Sequence, residues 1–284
     1  MKIRLRNAFA LLLVPWVGVG IAAPLRAVQD AAVATPRTDL PSAREVVDRF
    51  LQVTNARAIL EKTSNVRVKG KLTLPAFRIE GPLEILGAKP DRFLVRSALA
   101  QVGETVQGFD GQVGWSSDMT GTRLLEGNEL LQARLKSDWE APLKKDEDYE
   151  KLELLGKETV EGVECYELEV VARPLEGMDR DATLKVRSST EYYAVDSGLL
   201  VGGVSTQSSP LGEIPIHVSI SDYKEFAGSL MATKMKQSAM GQSFEFTLES
   251  VEYDVVPADA FAVPKEIQAL IEEKKAREGS SAGK

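Results

Sequence analysis

The chain has 284 residues, of which 43% are hydrophobic and 27% charged, with a formal net charge of −7. This composition is typical of a soluble globular protein with enough material for a core. One cysteine, Cys165, and one histidine, His217, exclude a cysteine–histidine zinc site, an internal disulfide and any mechanism that needs two imidazoles. The acidic balance argues against a nucleic-acid-binding protein.

The N-terminus has the pattern of a secretory signal peptide, because a basic start is followed by an apolar run over residues 8–23. The pattern predicts export, with cleavage after Ala23 or Ala27 or with the segment retained as an anchor. Without residues 1–27 the chain would carry 31 basic and 42 acidic side chains, a net charge of −11. Residues 28–41 are predicted to be a flexible lead-in, since they are small, polar and interrupted by proline.

Three helices are predicted. Two amphipathic helices are predicted over residues 42–62 and 126–139. Pro264 opens a third, short helix over 264–273, followed by a disordered polar tail over 273–284. Ser42 and Glu45 have the spacing of a capping box, so the first of these helices should begin at Ser42.

Between the first two helices, and again after the second, apolar and polar residues alternate with period two. This alternation is typical of antiparallel strands with one solvated face. It appears over residues 65–99, near 113–115, and at 152–155, 163–172, 182–186, 191–195, 199–207, 214–223, 230–239 and 244–253.

About a dozen strands and only three helices predict an α+β fold that is mostly β. Three helices of ~10 Å diameter cover about half of such a sheet. We therefore expect one domain over residues 42–272, in which a strongly curved antiparallel sheet wraps around two or three helices and leaves an apolar cleft. A fully packed sandwich without a cavity fits the same pattern.

Several short motifs resemble those of one protein family. Gly81-Pro-Leu83, Lys89-Pro-Asp-Arg-Phe93, Asp110-Gly-Gln-Val-Gly-Trp115 and Ala260-Phe-Ala-Val-Pro264 resemble, in this order, motifs of the periplasmic outer-membrane lipoprotein carriers of the LolA/LolB type. The segments 192–200, 209–212 and 221–223 are similar to the broader family of lipoprotein-sorting-like envelope proteins. The resemblance implies a periplasmic bacterial protein with an eleven-stranded half-barrel, closed by helices around a cavity for acyl chains. No functional arginine of the carriers has a matching position here.

The candidate ligand residues are inward-facing aromatic and flexible apolar side chains, because such residues suit an apolar pocket of adaptable shape. They are Phe77, Ile79, Phe93, Val95, Trp115, Leu130, Leu131, Leu135, Met231, Met235, Phe244 and Phe246. Each of them also fits a role as ordinary core.

The function predicted from these observations is that of an exported carrier. It would bind lipid or acylated lipoprotein as a monomer, without a cofactor, metal or catalytic activity, and with membrane-associated donor or acceptor proteins as further partners. The alternative is an envelope-stress sensor or protein-interaction module on the same fold. A hydrolase using His217 is a third hypothesis, although strand alternation places His217 on a polar face and no Gly-x-Ser-x-Gly elbow is present. Cys165 is expected to be a small strand residue rather than a reactive thiol.

Overall fold

The structure, a computed structural model, describes residues 40–138, 143, 148–173, 188–209 and 212–281. Within these residues the chain is mostly β, with four α-helices and thirteen strands. The helices are α1 (Ala43–Val53), α2 (Ala56–Lys62), α3 (Gly127–Lys136) and α4 (Lys265–Ser281). The strands are β1 (Asn65–Leu74), β2 (Ile79–Ala88), β3 (Arg92–Leu99), β4 (Gly103–Phe109), β5 (Gly114–Asp118), β6 (Gly121–Leu124), β7 (Tyr149–Val160), β8 (Val163–Ala172), β9 (Ser188–Ala194), β10 (Leu200–Ser209), β11 (Gly212–Phe226), β12 (Ser229–Ala239) and β13 (Gln242–Tyr253).

The strands form one antiparallel sheet in the order β6-β5-β4-β3-β2-β1-β13-β12-β11-β10-β9-β8-β7. Strands that follow each other in the chain are neighbours in this order, except that β6 and β7 stand at its two ends. In addition, β1 pairs with β13. The predicted α+β, mostly β class is confirmed. The half-barrel of about eleven strongly curved strands is corrected to one open sheet of thirteen, whose order ends at two edge strands. The sequence predicted too few strands in part because β6 has only four residues, which are too few to show a period of two.

The first predicted helix begins as expected. The Ser42 hydroxyl accepts a hydrogen bond from the Glu45 backbone N–H at 3.2 Å, and the Glu45 carboxylate accepts one from the Ser42 N–H at 2.7 Å. These two bonds form the predicted capping box, which satisfies backbone donors that a helix start leaves free.

The prediction of one continuous helix to Lys62 is wrong. Asn55 has φ of 54°, so it is left-handed and ends α1 before α2 begins. Its side-chain amide donates to the Gly228 carbonyl at 2.7 Å, and the Thr54 carbonyl accepts from the Leu230 N–H at 2.9 Å. The chain at this point therefore forms hydrogen bonds with the turn between β11 and β12, in place of the helical hydrogen bonds that were expected.

The other predicted helices are present with different ends. Helix α3 lies inside the range predicted for the second helix, and α4 runs to Ser281 where the chain was expected to fray near residue 273. Residues 1–39 and the strand predicted at 182–186 lie outside the described residues. The signal peptide, the lead-in and the single domain over 42–272 therefore stay predictions. None of the described helices is both long and apolar enough to span a membrane.

The described residues belong to two compact units. The first comprises residues 63–138 and 247–281, and the second comprises residues 40–62, 143, 148–173, 188–209 and 212–246. The first contains β1 to β6 with α3 and α4. The second contains α1 and α2 with β7 to β12.

Candidate functional site

The sheet of the first unit has one apolar face. Strand register places Phe93 opposite Phe109 and Val95 opposite Gln107, and cross-strand partners share a face. Together with other side chains of β1 to β4 they form a wall of buried apolar residues, which are Val66, Leu72, Leu74, Leu83, Phe93, Val95, Leu99 and Phe109. The predicted residues Phe93 and Val95 thus share one face of β3.

Helix α3 packs on this apolar face. A Cβ built on Gly114 would lie 2.9 Å from Cδ1 of Leu130, so the leucine occupies the space that the glycine leaves. Leu130 is half-buried and Leu131 is buried. The side chain of the predicted residue Leu135 lies outside the description.

Polar side chains hold both ends of α3. At its start, Arg123 donates two hydrogen bonds to the Glu129 carboxylate, at 2.6 and 2.9 Å. At its end, the Lys136 ammonium donates to the Gln107 side chain at 3.1 Å. Burial lowers the pKa of Lys136 to about 8, because an apolar environment disfavours the charged form.

Trp115 lies on the opposite face of the same sheet. It pairs with Gly108, which pairs with Leu94, whereas Phe93 pairs with Phe109. Its ring passes so close to Gly108 that a side chain there would overlap it. Trp115 packs in a core cluster with Leu86, Ala88, Leu94, Phe261 and Ile267, which brings the segment around α4 onto this face. The predicted group is therefore divided between two faces.

Phe77 and Ile79 lie at the hairpin that joins β1 to β2. Phe77 ends a short 3₁₀ helix and is 44% exposed. Ile79 is half-buried and pairs with the buried Leu74. Of these two residues, only Ile79 continues the apolar face of the first unit.

The sheet of the second unit also has a buried face, and α1 lies on it. The Phe50 ring of α1 meets the Tyr193 ring of β9 edge to face, with centroids 5.6 Å apart. Arg49 donates to the Val195 carbonyl at 2.8 Å. The Arg44 guanidinium lies 5.7 Å from the centroid of the Tyr149 ring. Contacts along α1 thus reach from β7 to the turn that follows β9.

One row of this face crosses five strands. Register pairs Leu168 with Glu191, Glu191 with Gly203, Gly203 with Val218, and Val218 with Gln237. Leu168 is fully buried and Gln237 is buried, while the three residues between them keep accessible surface. The residues at both ends of the row are therefore buried, and the residues in its middle are partly accessible to solvent.

The predicted methionines lie on the same face as this row. Met235 pairs with Ile220, which shares a strand face with Val218, and Met231 follows on that side of β12. Both methionines are half-buried. Phe244 is buried and Phe246 half-buried, at the start of β13.

Beneath α1 lies a polar group that was not predicted. Glu191 accepts a hydrogen bond from the Tyr193 hydroxyl at 2.6 Å and one from the Ser189 hydroxyl at 3.4 Å. Burial raises the pKa of Glu191, and burial raises that of the neighbouring Tyr149 to about 12, with a further contribution from Glu191. The signal in the sequence was the alternation Ser189, Glu191, Tyr193, which the prediction missed because it began this strand at Glu191.

The two residues that bear on reactivity lie where they were predicted. Cys165 is a free, buried cysteine of β8, and burial raises the pKa of its thiol, so the unreactive protonated form is favoured. His217 is exposed and points away from the face that carries Val218. Among the residues that the structure describes, no three acidic, cysteine or histidine side chains come together as metal ligands would.

Comparison with known proteins supports the fold. No protein-family model and no curated protein matches the chain. The structure is similar to a DUF1329 family protein from Desulfovibrio piger, with 14% identity and a TM-score of 0.50 over 79% of this chain and 98% of that one. It is also similar to a LolA superfamily protein from Nitrosomonas europaea, with 12% identity and a TM-score of 0.51 over 79% of this chain and 99% of that one. The predicted resemblance to the LolA type is confirmed at the level of the fold.

Proposed function

We propose that the chain is an exported lipid- or lipoprotein-binding protein of the bacterial envelope that holds acyl chains between its sheet and the helices packed on it. The observation that carries this proposal lies on the face of the second unit that also carries α1. There Val218, Met231 and Met235 are half-buried next to the buried side chains of Ile220 and Gln237. Apolar side chains that are enclosed but accessible are the usual lining of a site for an apolar ligand.

The energetics favour such a ligand. Each methylene buried from water contributes ~0.8 kcal/mol, so a chain of ten methylenes supplies ~8 kcal/mol before the cost of ordering it. Methionine adapts its shape at low cost, which suits acyl chains of different length. Release would follow from movement of α1, whose polar contacts lie at the margins of the face.

The direct test is extraction. We expect acyl lipid to co-purify with the protein prepared without detergent and to appear by mass spectrometry of the organic extract. The purified protein should also bind an environment-sensitive fluorescent fatty acid. If neither lipid nor probe is found, the proposal is wrong and the alternative of a sensor or protein-interaction module gains support.

A matched pair of variants locates the site. Met235→Gln places an amide on the buried face, whereas Lys236→Gln places the same group on an exposed position next to it. Loss of one apolar contact weakens probe binding about tenfold, and we expect this only in Met235→Gln. Equal affinities of the two variants, both folded by circular dichroism, would place the acyl chain elsewhere.

A further inference from the structure

The hairpin turns of the first unit lie at two ends of its sheet. Strands β1 to β6 each pair antiparallel with the strand that follows, so successive turns alternate between the two ends. The turns that join β1 to β2, β3 to β4 and β5 to β6 therefore lie at one end, which we call the Phe77 end; they are residues 75–78, 100–102 and 119–120. The turns over residues 89–91 and 110–113 lie at the opposite end.

The two ends differ in the side chains that they expose. At the Phe77 end, Phe77 is 44% exposed and Met119 is 76% exposed, and Val102 of the turn between theirs is half-buried. At the opposite end both turns carry an acid, Asp91 and Asp110, and Asp110 accepts hydrogen bonds from backbone N–H groups of its own turn. Polar residues are usual in turns, so apolar side chains in three neighbouring turns indicate a surface that meets an apolar partner.

The three turns of the Phe77 end adjoin one another. A Cβ built on Gly103, which follows the middle turn, would lie 3.9 Å from the Met119 Cβ. A Cβ built on Gly81, near the start of β2, would lie 3.1 Å from Cδ2 of Leu99, which precedes the middle turn. The apolar side chains therefore belong to one row along this end of the sheet.

Hydrogen bonds hold the two turns that carry the exposed side chains. Arg78 closes the first turn with a left-handed φ of 54°, and its N–H donates to the Pro75 carbonyl at 3.2 Å. In the third turn the Thr120 N–H donates to the Asp118 carboxylate at 2.7 Å. Side chains on turns that are already fixed bind with less loss of conformational entropy than side chains on loops that must first be ordered.

The size and the charge of this end select its partner. Three apolar side chains are far fewer than the about 20 to 30 residues that each side of a stable protein interface contributes, whereas a lipid surface needs no matching shape. Arg78 is exposed here, but so are Glu104 and Asp118, so these charges do not favour anionic lipid. The interaction that remains is the burial of apolar side chains in the interface of a neutral bilayer.

We propose that the Phe77 end of the first unit docks on the surface of a zwitterionic lipid bilayer, into which Phe77 and Met119 insert. This inference goes beyond the proposed function, because it assigns a membrane-binding surface and requires no acyl chain between sheet and helices. It also gives Phe77, a residue predicted to contact a bound acyl chain, contact with bilayer lipid instead.

Flotation of the exported protein with phosphatidylcholine vesicles tests the proposal. The double variant Phe77→Gln/Met119→Gln should partition into the vesicles at least about tenfold more weakly than wild type, because an amide replaces each apolar side chain. Val255→Gln is the matched control. Val255 is 43% exposed and follows Asp254, whose N–H donates to the carbonyl of Asn65 at the start of β1, so it lies at the opposite end. We expect this variant, and raised salt, to leave the partition unchanged.

A fluorescent label reports which end inserts, whatever else attaches the chain to the vesicle. Ala100 and Gln112 are exposed turn residues at the two ends, and Cys165 is buried. A thiol-reactive, environment-sensitive dye can therefore be attached to Ala100→Cys or to Gln112→Cys. With vesicles we expect a blue shift of the emission from Ala100→Cys only, and we expect the double variant to abolish it.

Several results would overturn the inference. They are no flotation of the wild type, equal partition of wild type and a double variant that is folded by circular dichroism, an equal loss in Val255→Gln, a blue shift from Gln112→Cys alone, or binding that raised salt removes. Self-association of the wild type that the double variant lacks would assign this end to a second copy of the chain and would also overturn it. Flotation without binding of the fluorescent fatty acid would instead support this inference and overturn the proposed function.

Discussion

Replacing Lys136 with methionine should stabilise the protein at neutral pH. The ammonium lies on the apolar face of the first unit, at the end of α3, and burial lowers its pKa from 10.5 to about 8. A shift of this size corresponds to about 3 kcal/mol of preference for the neutral form. Lys136→Met removes that cost but also the bond to Gln107, worth about 1 to 2 kcal/mol. We expect a net gain of about 1 to 2 kcal/mol in the free energy of unfolding at pH 7.

The gain should depend on pH in a defined direction. Below about pH 8 the lysine is charged in both the folded and the unfolded state, so the full cost of burying the charge is present. Between pH 8 and its ordinary pKa the folded state releases the proton first, and the stability of the wild-type protein rises. The advantage of Lys136→Met should therefore shrink through this range and vanish near pH 10.

Urea unfolding followed by tryptophan fluorescence measures this effect at pH 7 and pH 10. Lys69→Met is the matched control, because Lys69 is exposed on β1 of the same unit, and its effect should stay within about 0.5 kcal/mol. A Lys136→Met protein that is no more stable than wild type at pH 7, or whose gain is the same at both pH values, would refute the reasoning.

Substitutions at Gly108, Asn55 and Ser42 test three further local features by urea unfolding. Gly108→Ala should cost about 1 to 3 kcal/mol because its Cβ would overlap the Trp115 ring, and this cost should largely disappear in a Trp115→Ala background. Asn55→Ala should cost about 2 kcal/mol and Asn55→Gly only about half as much, since glycine keeps the left-handed backbone and loses only the bond to Gly228. Ser42→Ala should cost about 1 kcal/mol through loss of the N-cap, whereas Ser42→Asp should be nearly neutral.

Features that depend on near neighbours in the chain could be predicted from the sequence. The capping box at Ser42 needs only residues three positions apart, and the strands show their own alternation. The break at Asn55 could not be predicted, because the groups that bond to its side chain and to the neighbouring backbone lie near residues 228–230.

The candidate site shows the same limit. Alternation tells which residues of one strand share a face. It does not tell which residues of the next strand lie on the same side of the sheet. Phe93 and Trp115 were therefore grouped together, although the register through Phe109 and Gly108 places them on opposite faces. Glu191 was missed for a related reason, since an acid at the start of a predicted strand is ordinary until its neighbours Gly203 and Leu168 are known.

The position of β1 beside β13 bears on how the protein is made. The Ser64 backbone N–H donates to the Asp254 carboxylate across 190 residues of sequence, and the Asn65 side chain accepts from the Val256 N–H across 191. Strand β1 is synthesised first, and its edge next to β13 can therefore pair only after β13, the last strand, has been synthesised. Contacts between such distant residues slow folding, and the pairing of β1 with β13 can form only when nearly the whole chain has been synthesised.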